Sequence, residues 1–485
     1  MQKKLEKRTF KNFLGIFSSK ITGYIRDKLL ASNFGSDVIM DAWGWGFPLL
    51  SSLKTALIDI PLESISVPIL SKISSNKKNH QAASGSLLLK LTIYSMPFLL
   101  LISIFSKDIA TLLTAYKSLD IEILSKLIKG LSGYLAGGII SIWASTVLRS
   151  QGRMLAASLT PIILNLSIIG SIFLVNKKDP IETLTTGAGW GAWLGVVFQI
   201  YAFHLGKRWP KIEWKNNYQK MFEKKYPQGA SIGIFQSLTF IATRYYATLL
   251  ASGSISWLYF STRLIQVPNS LIGICIAQAS LPELSKISNS NNRKFSKELE
   301  NALKIGFLIA IPLTIYFFFE SSFFTEKLFE GGEFKSSDTT QVSGILKILS
   351  LSLPLIIFES ILTKAHYAIN KHKELLKIKL IQFLVSVVIL FVCFYSSLEN
   401  KILAVPFSSV FSIIIGILLL LKNFKLDLRK MLLSSKMTKA FIFSLFVLFL
   451  ILNNFQQEVF NWGKMMICAL SVFYIWKNEI LKNEN

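Results

Sequence analysis

Charge is scarce in this sequence, and acidic charge scarcest. Only 17% of the 485 residues are Asp, Glu, Lys or Arg, against about 25% in soluble domains, while 51% are hydrophobic and 37 are Phe. Such a chain has too little polar surface to cover a soluble body of its size. Its repeated long apolar stretches instead match a bilayer core of about 30 Å. Cysteine is nearly missing: Cys275, Cys393 and Cys468 all sit inside apolar stretches and are odd in number, which implies no disulfide framework and no metal knuckle. The four histidines, His80, His204, His366 and His372, have no spacing that suggests a metal site or a nucleophile dyad. No phosphate-binding glycine loop and no HExxH motif is present. An enzyme is not expected, a membrane transferase included, and neither is a bound cofactor.

With 53 Lys and Arg against 28 Asp and Glu, the net charge is +25, a value that raises nucleic acid as a partner. The placement of the basic residues argues against it, because they fall between apolar segments and on alternate loops. Windows of about 20 residues mark about fourteen spans, beginning near Phe10, Asp41, Gly85, Ser125, Ala156, Glu182, Gly229, Ile255, Glu300, Gln341, Leu376, Ile402, Lys439 and Phe460. One side takes the N-terminal tail, Lys72/Lys77/Lys78, Arg149/Arg153, the long run from Lys207 to Lys225, Lys286/Arg293, Lys371 to Lys379, Lys422 to Lys439 and the C-terminal Lys477/Lys482. This is the cytoplasmic excess of the positive-inside rule, with both termini cytoplasmic. The +25 is then an orientation signal that also attracts anionic phospholipids.

An internal repeat is visible. "SVPILSKIS" at 66–74 and "SLPELSKIS" at 280–288 agree at seven of nine positions, and at the same offset of 214 residues Trp43 meets Trp257. Six spans separate the copies, so both run in the same direction. The expected fold is an all-α polytopic membrane protein of two parallel six-helix lobes with a substrate site between them, plus a C-terminal helix pair. The boundaries are an N-terminal lobe over 1–206, a basic cytoplasmic linker over 207–228, a second lobe over 229–422 and the added pair over 423–485. Pro48 and Pro68 in the second span and Pro268 and Pro282 in the eighth mark matching helix kinks, the pattern that points to a central site.

Several charges lie inside spans, each costing roughly 2.5–3.5 kcal/mol at a helix centre on insertion scales. Lys20, Gly23 and Asp27 follow one face of the first helix with Arg26 beside them, and Asp41, Asp59 and Glu63 add acidic groups to the second, around Lys54. Arg244 and Arg263 lie in the seventh and eighth. A purely structural ion-pair network is the alternative for any one of these residues; their surplus of cations suits an anionic ligand, and arginine's planar fork suits phosphate.

The stretches "TGYIRDKLLASNFGSDVIMDAW", "SVPILSK", "LASGSISWLYFSTRLIQVPNSLIGICIAQASLPELSK" and "EFKSSD" together resemble the MurJ/MviN lipid II flippases of the multidrug/oligosaccharidyl-lipid/polysaccharide exporter superfamily. "TPIILNLSIIG" and "KAHYAIN" agree more weakly. The resemblance implies two six-helix lobes around a cationic cavity and a final helix pair lining a groove for a lipid tail. It also implies transport of the undecaprenyl-pyrophosphate-linked disaccharide-pentapeptide to the outer leaflet of the bacterial cytoplasmic membrane, by alternating access, for peptidoglycan synthesis. Carried onto this sequence, the family's arginines fall on Arg26 and Arg263, its second-helix arginine on Lys54 and a first-helix arginine on Lys20. Asp41 is the aspartate of its "DA" pair. Where the family shows Pro-Asn and Glu-Gly pairs, Leu50/Ser51 and Asp59/Ile60 stand here.

On this reading Arg26, Lys54 and Arg263, supported by Lys20 and Arg244, hold the pyrophosphate. Asp41, with Asp27, Asp59 and Glu63, supplies gating and charge pairing, Asp41 meeting a cation when the cavity is empty. A metal site is not defined; a monovalent cation or the membrane potential stands open as the driving force. Lipid II is the expected partner, with anionic phospholipids and cell-wall synthesis proteins beside it and no nucleic acid. Two other readings stand: export of another lipid-linked glycan or a drug by the same superfamily, and a non-transporting scaffold for cell-wall synthesis.

Overall fold

Each of the first twelve expected spans begins on helix. The computed structural model describes residues 2–424 and 426, apart from 75, 115–118, 152, 175–178, 207–208, 214–216, 271–291, 370 and 398. The second copy of the repeat with Pro282, and the helix pair expected after Lys439, lie outside the described residues. Among the described residues there is no strand, only the isolated bridge between Gly331 and Phe334. The chain divides into two compact units: Met1–Ser256 with Gly331–Phe334, and Trp257–Glu330 with Lys335–Asn485.

The first unit begins with α1 (Gln2–Phe34), which stops where Gly35 takes φ +55°, the left-handed turn that suits glycine. Asp37 then caps α2 (Val38–Lys54) by accepting from the Met40 amide at 2.9 Å. α2 runs on through Pro48. After Lys54 the backbone changes to π-helical bonding over Thr55–Asp59 and Leu62–Ser66, then returns to α3 (Val67–Lys72). There follow α4 (Lys77–Ile104), α5 (Ser106–Leu113), α6 (Ile121–Gly130), α7 (Ser132–Ser150), α8 (Met154–Ser158), α9 (Thr160–Leu174), α10 (Pro180–Gly206) and α11 (Asn217–Thr248). Asp179 caps α10 through the Glu182 amide, and the Lys126 ammonium beside it holds its carboxyl below the usual carboxylate range.

α10 carries the span expected from Glu182. Its Gly187, Gly191 and Gly195 recur every four residues on the face toward α9, so close that a Cβ on Gly191 would lie 2.8 Å from the Leu164 Cα. The opposite face carries Trp190, Trp193, Val197 and Tyr201, all exposed, as suits contact with lipid. By length and composition six described helices can cross a membrane, or seven if one bent pair counts as a span; α10 is not among them.

α11, expected to open the second lobe, packs on α2, on both π-helical stretches and on α4, and so groups with the first unit. The core there joins Leu62, Leu87, Trp143, Val147, Phe203 and Phe222.

The second unit holds most of α12 (Ser254–Pro268), then α13 (Asn292–Phe319), α14 (Ser321–Phe329), α15 (Ser336–Ser350), α16 (Ser352–Ala368), α17 (His372–Tyr395) and α18 (Ala404–Leu421). α15 and α16 bend by 46° at Leu351. The helix beyond Pro268 turns π at Asn269 and Ser270, 214 residues after Thr55 and Ala56. The repeat thus extends from matching letters to a matching change of backbone.

Candidate functional site

The first unit gathers most of the expected charges. Arg26 and Asp27 on α1 are both buried and form an ion pair: Nη2 and Nε donate to the Asp27 Oδ1 at 2.6 and 3.0 Å. Arg26 Nη1 donates to Asn165 Oδ1 on α9 at 2.8 Å, and Asn165 Nδ2 returns to α1, donating to the Ser19 carbonyl and the Thr22 hydroxyl, each at 3.1 Å. The guanidinium is thereby fixed in direction by two side chains, and a buried cation has the paired environment it requires. Gly23 faces the Asn165 amide, to which a Cβ there would make ordinary contact at 3.4 Å. Lys20 lies half-buried two turns earlier on the same helix.

Lys54, at the end of α2, pairs with Asp59, its Nζ lying 2.8 and 3.1 Å from the two carboxylate oxygens. The Thr55 hydroxyl donates to the same carboxylate at 3.1 Å. Gly138 on α7 gives the lysine stem its passage, as a Cβ there would lie 3.3 Å from the Lys54 Cδ. The side chain of Glu63 lies outside the described residues, as does that of Pro68.

Asp41 departs from expectation. It is fully buried, and its partners are not cationic: Oδ2 accepts from the Gly253 amide at 2.7 Å, and Oδ1 accepts from the Ser256 amide and hydroxyl at 2.8 and 2.5 Å. These amides open α12, where the helix dipole favours an anion. The pairing with a cation gives way to a capping role, because the first turn of α12 already occupies both oxygens. Gly253, at φ +90°, makes the turn possible. Arg244 is buried at the same turn, stacked 5.4 Å from the Phe240 ring, with Nη1 3.5 Å from the Ile255 carbonyl.

In the second unit Arg263 is half-buried on α12, 4.7 Å over the Tyr259 ring, and Nη1 donates to Gln266 Oε1 at 3.1 Å. Trp257 Nε1 donates to Asp338 Oδ1 at 3.0 Å, while Asp338 Oδ2 caps α15 at the Lys335 amide. That explains the aspartate of "EFKSSD". Its counterpart in the repeat, Trp43, has no partner for Nε1 among the described residues.

One buried pair escaped sequence reading. Lys379, counted there as a loop lysine, lies inside α17 with its ammonium on Glu359 of α16, and Gln382 donates to the same oxygen at 2.8 Å. The signal was Glu359 itself, a lone acid in the apolar run "LPLIIFESIL". Asn165 was visible only as part of a motif. Among the described residues no cluster of His, Cys, Asp and Glu could hold a metal ion.

A family model described as "Lipid II flippase MurJ" matches residues 30–473. The chain belongs to the lipid II flippase MurJ family. Similar proteins include a probable lipid II flippase MurJ of Buchnera aphidicola subsp. Acyrthosiphon pisum, 27% identical over 76% of this chain and 74% of that protein. Another is that of Borreliella burgdorferi, 25% identical over 92% and 89%. The fold is that of a solved "Lipid II flippase MurJ, inward closed conformation", with a TM-score of 0.77 at 22% identity over 97% of this chain and 99% of that one. An inward-facing multidrug resistance MATE family transporter of the MOP superfamily follows, with a TM-score of 0.71 at 12% identity over 86% and 96%. The MurJ family thus supplies the frame in which the buried cations are placed.

Proposed function

We infer that this chain is a transporter that flips lipid II from the inner to the outer leaflet of the cytoplasmic membrane, by alternating access. Family membership carries the substrate class. The observation that carries the mechanism is that Arg26, Lys54 and Arg263 are held on helices of an apolar chain, against the cost of placing charge there; the sequence resemblance aligns them with the family's cations. Arg26 and Arg263 offer planar forks to a diphosphate, Lys54 a point charge, and Lys20 and Arg244 support them. Each cation has a partner to satisfy it when no anion is bound: Asp27 and Asn165 for Arg26, Asp59 for Lys54, Gln266 and the Tyr259 ring for Arg263. An inside-negative potential favours outward passage of an anionic headgroup by about 2.3 kcal/mol per charge per 100 mV.

The excess of Lys and Arg on alternate loops supports a chain with both termini in the cytoplasm, two lobes of six spans over 1–206 and 229–422, a linker over 207–228 and a helix pair over 423–485. The same lysines favour anionic phospholipid at the inner surface; cell-wall synthesis proteins are the natural neighbours of a precursor transporter. Complementation in cells depleted of their own flippase tests the reading. Arg263→Ala is expected to fail at normal expression with lipid II accumulating unflipped, and Arg263→Lys to retain part of the activity. Normal growth with Arg263→Ala would overturn the assignment of Arg263.

A further inference from the structure

The π-helical stretch after α2 is held by a hydroxyl from another helix. Pro61 has no N–H to give the Leu57 carbonyl, which an α-helix would satisfy from four residues along. The Tyr226 hydroxyl, on α11, donates to that carbonyl at 2.6 Å. α11 meets the same stretch through glycine: a Cβ on Gly233 would lie 2.6 Å from the Ala56 Cα, and one on Gly229 3.1 Å from the Pro61 Cα. This helix is therefore fitted to the backbone in its π form.

That form decides which carboxylate Lys54 meets. Residues five apart stand about 140° apart around an α-helix of 3.6 residues per turn, so Lys54 and Asp59 would diverge. A π turn closes its hydrogen bond over five residues, and the Ile60 amide does reach the Thr55 carbonyl. Lys54 and Asp59 then share a face, and their ion pair follows.

We propose that Tyr226 is a positioning residue for Lys54. By satisfying the Leu57 carbonyl it keeps 55–59 in the π form, and so keeps the ammonium on Asp59 until the diphosphate of a substrate displaces the carboxylate. Relaxation of the stretch to α-helix swings Asp59 away and bares the ammonium. The role of the diphosphate rests on the function inferred above; the hold of Tyr226 on the Lys54–Asp59 pair does not.

Acylation of Lys54 in the purified full chain, read peptide by peptide by mass spectrometry against Lys126 as internal control, tests both. Tyr226→Phe deletes only the hydroxyl and is expected to raise labelling of Lys54 about threefold or more, the coupling usual within one hydrogen-bond network. Asp59→Asn is expected to do the same, and Tyr226→Phe to add nothing to it. Pro61→Ala restores the missing N–H and is expected to bare Lys54 with Tyr226 intact. Unchanged labelling of Lys54 in Tyr226→Phe and Pro61→Ala overturns the proposal, as does a Tyr226→Phe effect that persists undiminished in Asp59→Asn. Inorganic pyrophosphate is expected to protect Lys54 in the wild type. Failure of that protection, with the Tyr226 and Asp59 effects intact, overturns the part given to the diphosphate and leaves the positioning role supported.

Discussion

Lys379 and Glu359 show how closely a charge inside this fold depends on its partner. Their side chains are about one-tenth exposed, and Gly416 leaves the space that the Gln382 amide uses to join them. Lys379→Met strands a buried carboxylate and is expected to cost about 3–5 kcal/mol, whereas the double change Lys379→Met, Glu359→Leu is expected to recover most of it. Unfolding midpoints in detergent check this; equal losses in the single and double variants would refute it. Asp41→Asn leaves an NH2 group facing amides that can only donate, with an expected loss of about 1–3 kcal/mol, seen as faster proteolysis of the turn between α11 and α12. Arg26, Lys54 and Asp41 were legible in the sequence because a charge in an apolar run demands an explanation. Asn165 and Tyr226 were not, since an Asn or a Tyr in a span is unremarkable until its partner is known. Lys379 was misread because spacing from a loop does not reveal which way a side chain turns.

Among the elements, α10 gives the sharpest contrast between glycines, two of them only two residues apart on nearly opposite faces. Gly191→Ala puts a Cβ against the backbone of α9 and must force the pair of helices apart, while Gly189, with nothing within 4 Å of the same probe position, has room. Gly191→Ala is expected to lower the unfolding midpoint, and Gly189→Ala to hold or raise it, by up to about 1 kcal/mol from helix propensity. Identical effects of the two variants would discount the ridge. The π-helical stretches were foreshadowed by Pro48 and Pro68 only as kinks in the second span. No sequence rule supplied their bonding, which depends on Tyr226 and Gly233, more than 150 residues away.

At the scale of the molecule, the all-helical, membrane-spanning class of the fold was legible because a bilayer core demands long apolar helices. The grouping of spans into units was less so. The boundary expected near Gly229 follows the loops, whereas contacts group α11 with the elements before it, with Gly229 and Gly233 close against Pro61 and Ala56. The aromatic face of α10 has an optical consequence. Trp190 and Trp193 lie open while Trp43, Trp45 and Trp143 are enclosed, so the protein carries its own depth gauge: brominated acyl chains should dim the first two indoles and spare the other three, with no dye attached.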